Sequence, residues 1–175
     1  MIRTGADEAR SPKYSHVERE RRFLVDQLRL PPLPNAYVLI EDWYFSNTRF
    51  RLRRMCASDG GAAVLKLAKK YESDDPTARP MVNAYLSEAE YDVFRLLPGT
   101  MISKRRFELD GFSVDVFGGV LTGLVLAERE EAEAEGLRRL APPPWAGQEV
   151  TFDPRYQGGA LADMRAETLA SLLPT

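Results

Sequence analysis

Acidic and basic side chains in this chain recur at every second position. Glu18, Glu20 and Arg22 follow one another at that spacing, as do Arg49, Arg51 and Arg53, then Lys104 and Arg106, then Glu128 and Glu130. Side chains of an extended strand alternate between its faces, so each series shares one face. Lys66 and Lys70 share a face by the same rule, and Asp115 sits inside a further apolar strand. Charges buried on several strands are costly unless the interior is wet and holds a ligand. The inward list is acidic at Glu18, Glu20, Asp115, Glu128 and Glu130, and basic at Arg22, Arg51, Arg53, Lys66, Lys104 and Arg106. Magnesium and manganese take oxygen ligands and bridge carboxylates to phosphates, while arginine and lysine take the remaining phosphate oxygens. A highly anionic, metal-chelating ligand such as a triphosphate uses both halves of the list.

Those faces must be carried by strands that close on one another. Extended, β-forming stretches are expected over 16–25, 37–45, 48–56, 62–71, 81–86, 100–109, 112–117 and 121–131. Ser46-Asn47 and Asp110-Gly111 are turn signals, the second a strong two-residue hairpin. Ser87-Glu88-Ala89-Glu90 has the capping-box form that starts a helix through about Leu97, stopped by Pro98-Gly99. A short helical stretch is expected over 132–140, and residues 161–172 have helical apolar spacing. Many strands with hairpin turns and few helices predict a mainly β fold, a closed antiparallel barrel with flanking helices. A barrel of about eight strands is just wide enough for one small ligand.

The 175 residues suit one domain, read as a loose polar tail over 1–13 and a single domain over 14–175. A net charge of −2 and a pI near 5.6 give no reason to expect general attraction to nucleic acid or membrane. The single cysteine, Cys56, excludes an intrachain disulfide and a cysteine-based zinc site. With no leader-like start and no apolar run near the roughly 18 residues that span a bilayer, a cytoplasmic protein is expected. His16, the sole histidine, reads as a strand-entry residue, and Glu131, Glu133 and Glu135 as a solvated acidic face.

The segment VERERRFLV at Val17 to Val25 resembles the E-x-E-x-K signature that opens the CYTH superfamily, also called triphosphate tunnel metalloenzymes. The resemblance continues through RFRLRR at Arg49 to Arg54, SKRRF at Ser103 to Phe107, VDVF at Val114 to Phe117, LVLAERE at Leu124 to Glu130 and EVTFDPRY at Glu149 to Tyr156. It implies an eight-stranded antiparallel tunnel in which Glu18, Glu20, Glu128 and Glu130 handle Mg2+ or Mn2+ with Asp115 nearby. Arg22, Arg51, Arg53, Lys66, Lys70, Arg79, Lys104 and Arg106 would clamp phosphates. Members of that family hydrolyse inorganic tripolyphosphate, thiamine triphosphate or nucleoside and RNA 5′-triphosphates, and some cyclise ATP. The bacterial type of the family implies hydrolysis of inorganic tripolyphosphate, with a small anionic triphosphate as the sole expected partner and room for a homodimer.

The chain departs from that pattern at identifiable places. Arg22 stands where the signature ends in lysine, which keeps the charge but not the compact ammonium. Arg79-Pro80-Met81-Val82-Asn83 replaces the usual R-x-E-x-E, so two carboxylates are absent, and Glu41 stands where an arginine is usual. A second reading therefore keeps the tunnel as a non-catalytic phosphate, polyphosphate or nucleotide-binding module. An RNA-binding surface is a third, opposed by the low pI.

Overall fold

The computed structural model describes residues 12–173. Most of the tail expected over 1–13 lies outside the described residues. The β-forming stretches become strands β1 (His16–Val25), β2 (Val38–Phe45), β3 (Phe50–Ala57), β4 (Val64–Lys70), β5 (Ala78–Tyr85), β6 (Gly99–Leu109), β7 (Phe112–Phe117) and β8 (Val125–Glu130). All pair antiparallel in the order β5-β4-β3-β2-β6-β7-β8-β1, and a β1–β5 pairing closes the ring. β1 makes the closure by dividing its length. Its first half pairs with β5, setting Glu18 opposite Arg79, and its second half pairs with β8, setting Glu20 opposite Glu130 and Arg22 opposite Glu128.

Local chemistry explains the connections. Asp110 and Gly111 both take left-handed backbone, as the two-residue hairpin turn requires. Ser87 and Glu90 form the reciprocal capping box of α1 (Glu88–Arg95). Three elements differ from expectation. β8 begins at Val125, not Leu121, because backbone bonds from Leu121, Thr122 and Leu124 back to Gly118, Gly119 and Leu121 fold the preceding segment into a tight 3-10 turn. β5 begins at Ala78, three residues early, after Asp75 captures the Thr77 backbone and hydroxyl. A short strand unmarked in the sequence, β9 (Ala146–Glu149), adds to the free edge of β1.

Two apolar clusters support the ring. Outside it, Phe23, Phe107, Phe112, Val114, Val125 and Trp145 cluster under Leu30, Leu33 and Tyr37 and under Leu140, which follows α2 (Ala134–Arg139). Arg21 staples that cover down, donating to both oxygens of Glu149 at 2.9 and 2.7 Å and to the Leu140 carbonyl at 2.8 Å. Inside, Leu24, Ile102, Phe117 and Leu126 form an apolar floor at one end of the barrel, packed by Tyr156, Leu161, Leu169 and Leu172. The expected C-terminal helical stretch is two short helices, α3 (Gly158–Ala162) and α4 (Ala166–Leu169), which bend so that Leu161 and Leu169 both reach this floor. No helix among the described residues is long and apolar enough to cross a membrane.

The plug meets the barrel at Gly158. A Cβ added there would lie 1.8 Å from the Tyr44 hydroxyl and 2.7 Å from its ring carbon. Gly158→Ala should therefore undock the α3 segment or displace Tyr44, lowering stability by about 1–3 kcal/mol. Thermal melts check this, and an unchanged melting temperature would show that the plug yields freely.

Candidate active site

Above the apolar floor the barrel interior opens into a cavity of about 480 Å³. Eight cations and five carboxylates from the described residues line it, an excess that suits an anionic ligand. The charges are not scattered. Lys104 and Arg106 of β6 both grip Asp115 of β7, with Arg106 donating to its two oxygens at 2.7 and 2.6 Å. Arg106 also reaches Glu128 at 2.6 Å, whose other oxygen accepts from Arg22 at 2.8 Å. Arg22 then donates to Glu20 at 3.0 Å, and Lys70 of β4 lies between Glu20, at 3.5 Å, and Glu18. One alternating chain of charge thus crosses five strands.

A second network sits on β2 and β3. Asp42 is fully buried and accepts from Arg53 at 2.6 and 2.7 Å. Arg51 stands over the same carboxylate with Nε 3.5 Å away. That Nε is the one buried side-chain polar atom among the described residues with no hydrogen-bond partner, and its residue lines the cavity. An orphaned buried donor costs roughly 1–3 kcal/mol, offset here in part by the charge of the Asp42 carboxylate beside it.

Burial opposes ionisation at these sites, and the partners decide the outcome. For Glu128, burial is outweighed by Arg22, Lys104 and Arg106, which hold its carboxyl well below the usual range. Asp42 is held low by Arg51 and Arg53 against the same penalty, and Glu18 by Lys70. For Lys104, burial prevails over Asp115 and lowers the ammonium. Glu130 differs in sign: burial, then the charges of Glu18 and Glu20, push it up.

Glu130 stands where the cavity's carboxylates crowd one another. Glu20 and Glu130 lie directly opposite across the β1–β8 pair, an arrangement that is unfavourable for like charges without a cation between them. The all-oxygen donor set of Glu18, Glu20 and Glu130 suits magnesium or manganese. No three His, Cys, Asp or Glu side chains of the described residues form a closed ligand set.

The expected site residues divide by depth. Glu18, Glu20, Arg22, Arg51, Arg53, Lys70, Arg79, Lys104, Arg106, Glu128 and Glu130 all line the cavity. Asp115 shares the inner face but is covered, with both oxygens taken by Lys104 and Arg106. Lys66 is outside the lining, its ammonium 5.0 Å from the Tyr85 ring. Met81 is buried opposite Lys70, and Asn83 lies opposite Ala68. Glu41 faces Arg54 at 3.9 Å, one position away from the inward-facing Asp42.

Residues that the sequence left unmarked complete the site. Asp42 and Tyr44 share the inward face of β2, and the Ser46-Asn47 turn fixes the register that sets Asp42 against Arg53. Counting that register from the turn would have found them. Gln157 accepts from Arg79 at 2.8 Å, and the Tyr156 carbonyl from Arg22 at 2.8 Å, so the plug is tied to cavity cations. No local pattern announces those long-range bonds.

No family model matches the chain. It is 38% identical to the inorganic triphosphatase of Nitrosomonas europaea, over 44% of this chain and 61% of that protein. The aligned part thus spans about three fifths of that relative's length. The crystal structure of the inorganic triphosphatase NE1496 superposes with a TM-score of 0.53 at 27% identity, covering 83% of this chain and 93% of the other. A second crystal structure, of the hypothetical protein NE1496, gives 0.54 at 26% identity, covering 85% and 99%. The class defined by fold and site is a closed antiparallel barrel with a charge-lined, partly plugged tunnel.

Proposed function

We propose that this barrel is a metal-dependent triphosphatase of the CYTH or triphosphate tunnel metalloenzyme kind, acting on inorganic tripolyphosphate in the cytoplasm. The observation that carries it is the pairing of two sets in one cavity: carboxylates Glu18, Glu20 and Glu130 on β1 and β8, and eight cations on the strands around them. The similarity to the inorganic triphosphatase supports the choice of substrate.

Glu18, Glu20 and Glu130 would hold the magnesium or manganese ion, with Glu128 beside them and Asp115 behind. When bound, the ion neutralises phosphate oxygens and favours deprotonation of a nearby water. The chain supplies the rest. Arg51, Arg53, Lys70, Arg79, Lys104 and Arg106 orient the phosphates and stabilise charge that develops on the leaving diphosphate. Asp42, Asp115 and Glu128 fix those cations before the ligand arrives, so little reorganisation is needed. Water attacks the terminal phosphorus as the bridging P–O bond breaks, and its proton has carboxylate acceptors in Glu20 and Glu130. No covalent nucleophile is required. The apolar floor and plug keep bulk water from one end.

A second reading, a binding tunnel without turnover, is favoured by Met81 and Asn83 in place of two carboxylates. Phosphate release from tripolyphosphate, ATP and thiamine triphosphate, each with magnesium, manganese or chelator, separates the readings. The triphosphatase predicts metal-dependent release, fastest from tripolyphosphate. Binding that persists in chelator with no release would replace it with the binding tunnel, and preference for an organic triphosphate would reassign the substrate.

A further inference from the structure

Lys70 occupies an unusual place for a phosphate-binding cation. Its ammonium pairs with Glu18 and lies 3.5 Å from Glu20, on the two carboxylates that begin the β1 series. The residue opposite it on β5 is Met81, which offers no charge, so β1 supplies its carboxylate partners. Arg22 shares Glu20 with it at 3.0 Å, whereas Arg53 is anchored on Asp42, Arg106 on Asp115 and Glu128, and Arg79 on Gln157. Lys70 is also the more mobile kind of partner, a single ammonium on a four-carbon stem, about 30% exposed at its side chain.

We propose that Lys70 is a resident counter-cation, holding the place between Glu18 and Glu20 that the divalent ion takes and turning toward the phosphates when the ion displaces it. The inference rests on reading the cavity as a metal and triphosphate site. Two like-charged carboxylates two residues apart repel when bare, and in the free protein Lys70 relieves both while Arg22 reaches Glu20 alone. A divalent ion relieves them more strongly but must first evict the ammonium, so metal affinity without phosphate is held down. Once released, the ammonium sits beside the entering anion. Metal and triphosphate then favour each other's binding through one side chain, which is a coupling of the kind usually worth about 5- to 150-fold.

The test needs no substrate. Free Mn2+ is measured by electron paramagnetic resonance while it is titrated into wild type, Lys70→Met, Lys70→Gln and Arg79→Met, all checked for unchanged melting temperature. Both Lys70 variants should bind Mn2+ at least about tenfold more tightly than wild type. Arg79→Met removes an equal charge from the residue facing Glu18 in the β1–β5 register and should change affinity by less than about threefold. In wild type, Mn2+ should also speed reductive methylation of Lys70, read by mass spectrometry. Unchanged or weaker binding in the Lys70 variants, an equal gain in Arg79→Met, or no change in Lys70 methylation would each overturn the inference. Tighter binding in the Lys70 variants of a protein that releases no phosphate would uphold it while removing the triphosphatase reading.

Discussion

Replacing Glu18 and Glu20 together with glutamine should abolish metal-dependent phosphate release from tripolyphosphate, by at least about a thousandfold in kcat/KM. The size follows from where the two side chains sit. They carry the negative end of the alternating charge chain, closest to Glu130, and glutamine keeps their shape while removing the charge a divalent ion needs. Anion binding should survive, because Arg51, Arg53, Lys104 and Arg106 are held by Asp42, Asp115 and Glu128, not by Glu18 or Glu20. Lys70, released from both partners, should bind the anion at least as well. Turnover by the double variant within tenfold of wild type would mean that the chemistry does not pass through these carboxylates.

Asp42→Ala should strongly destabilise the folded state. It leaves Arg53 without its bidentate partner and Arg51 without its nearest counter-charge, both within the barrel wall. Removing one member of a buried ion pair costs about 3–5 kcal/mol, which for a chain of this size lowers the melting temperature by roughly 10 °C. The same carboxylate gives the stability a pH signature. Its folded pKa lies below its unfolded value of about 4. The stability it contributes is therefore fully present above that unfolded value and is lost as pH falls toward the folded one. Glu128 acts with the same sign. Thermal melts from pH 7 to pH 2 should show the wild type losing stability most steeply below about pH 4, and Asp42→Asn should lose less over that range. Parallel curves would mean that Asp42 is not ionised in the fold.

Much of this architecture was legible because alternation is local. Glu18, Glu20 and Arg22 declare a charged strand face without knowledge of any partner, and Asp110-Gly111 declares its hairpin. Depth along the tunnel is not local. Lys66 and Lys70 are equivalent by alternation, yet the pairing of β4 with β5 sets Lys70 beside Met81, within reach of β1, and Lys66 beside Tyr85 at the cavity's margin. Asp115 looked like its acidic neighbours, but only the β6–β7 register reveals that Lys104 and Arg106 enclose it. The plug was similarly hidden. Gly158 and Gln157 carry no periodic signal, and their importance comes from Tyr44 and Arg79, far earlier in the chain.

In the proposed mechanism, facing carboxylates and cations hold a triphosphate through a divalent ion inside the barrel. A crystal structure with Mn2+ and a methylene-bridged triphosphate analogue tests it most directly. The predicted result is an anomalous manganese peak coordinated by Glu18 or Glu20 and by phosphate oxygens, with a further phosphate oxygen on the Arg51 guanidinium. An analogue bound outside the barrel, or manganese away from these carboxylates, would contradict it.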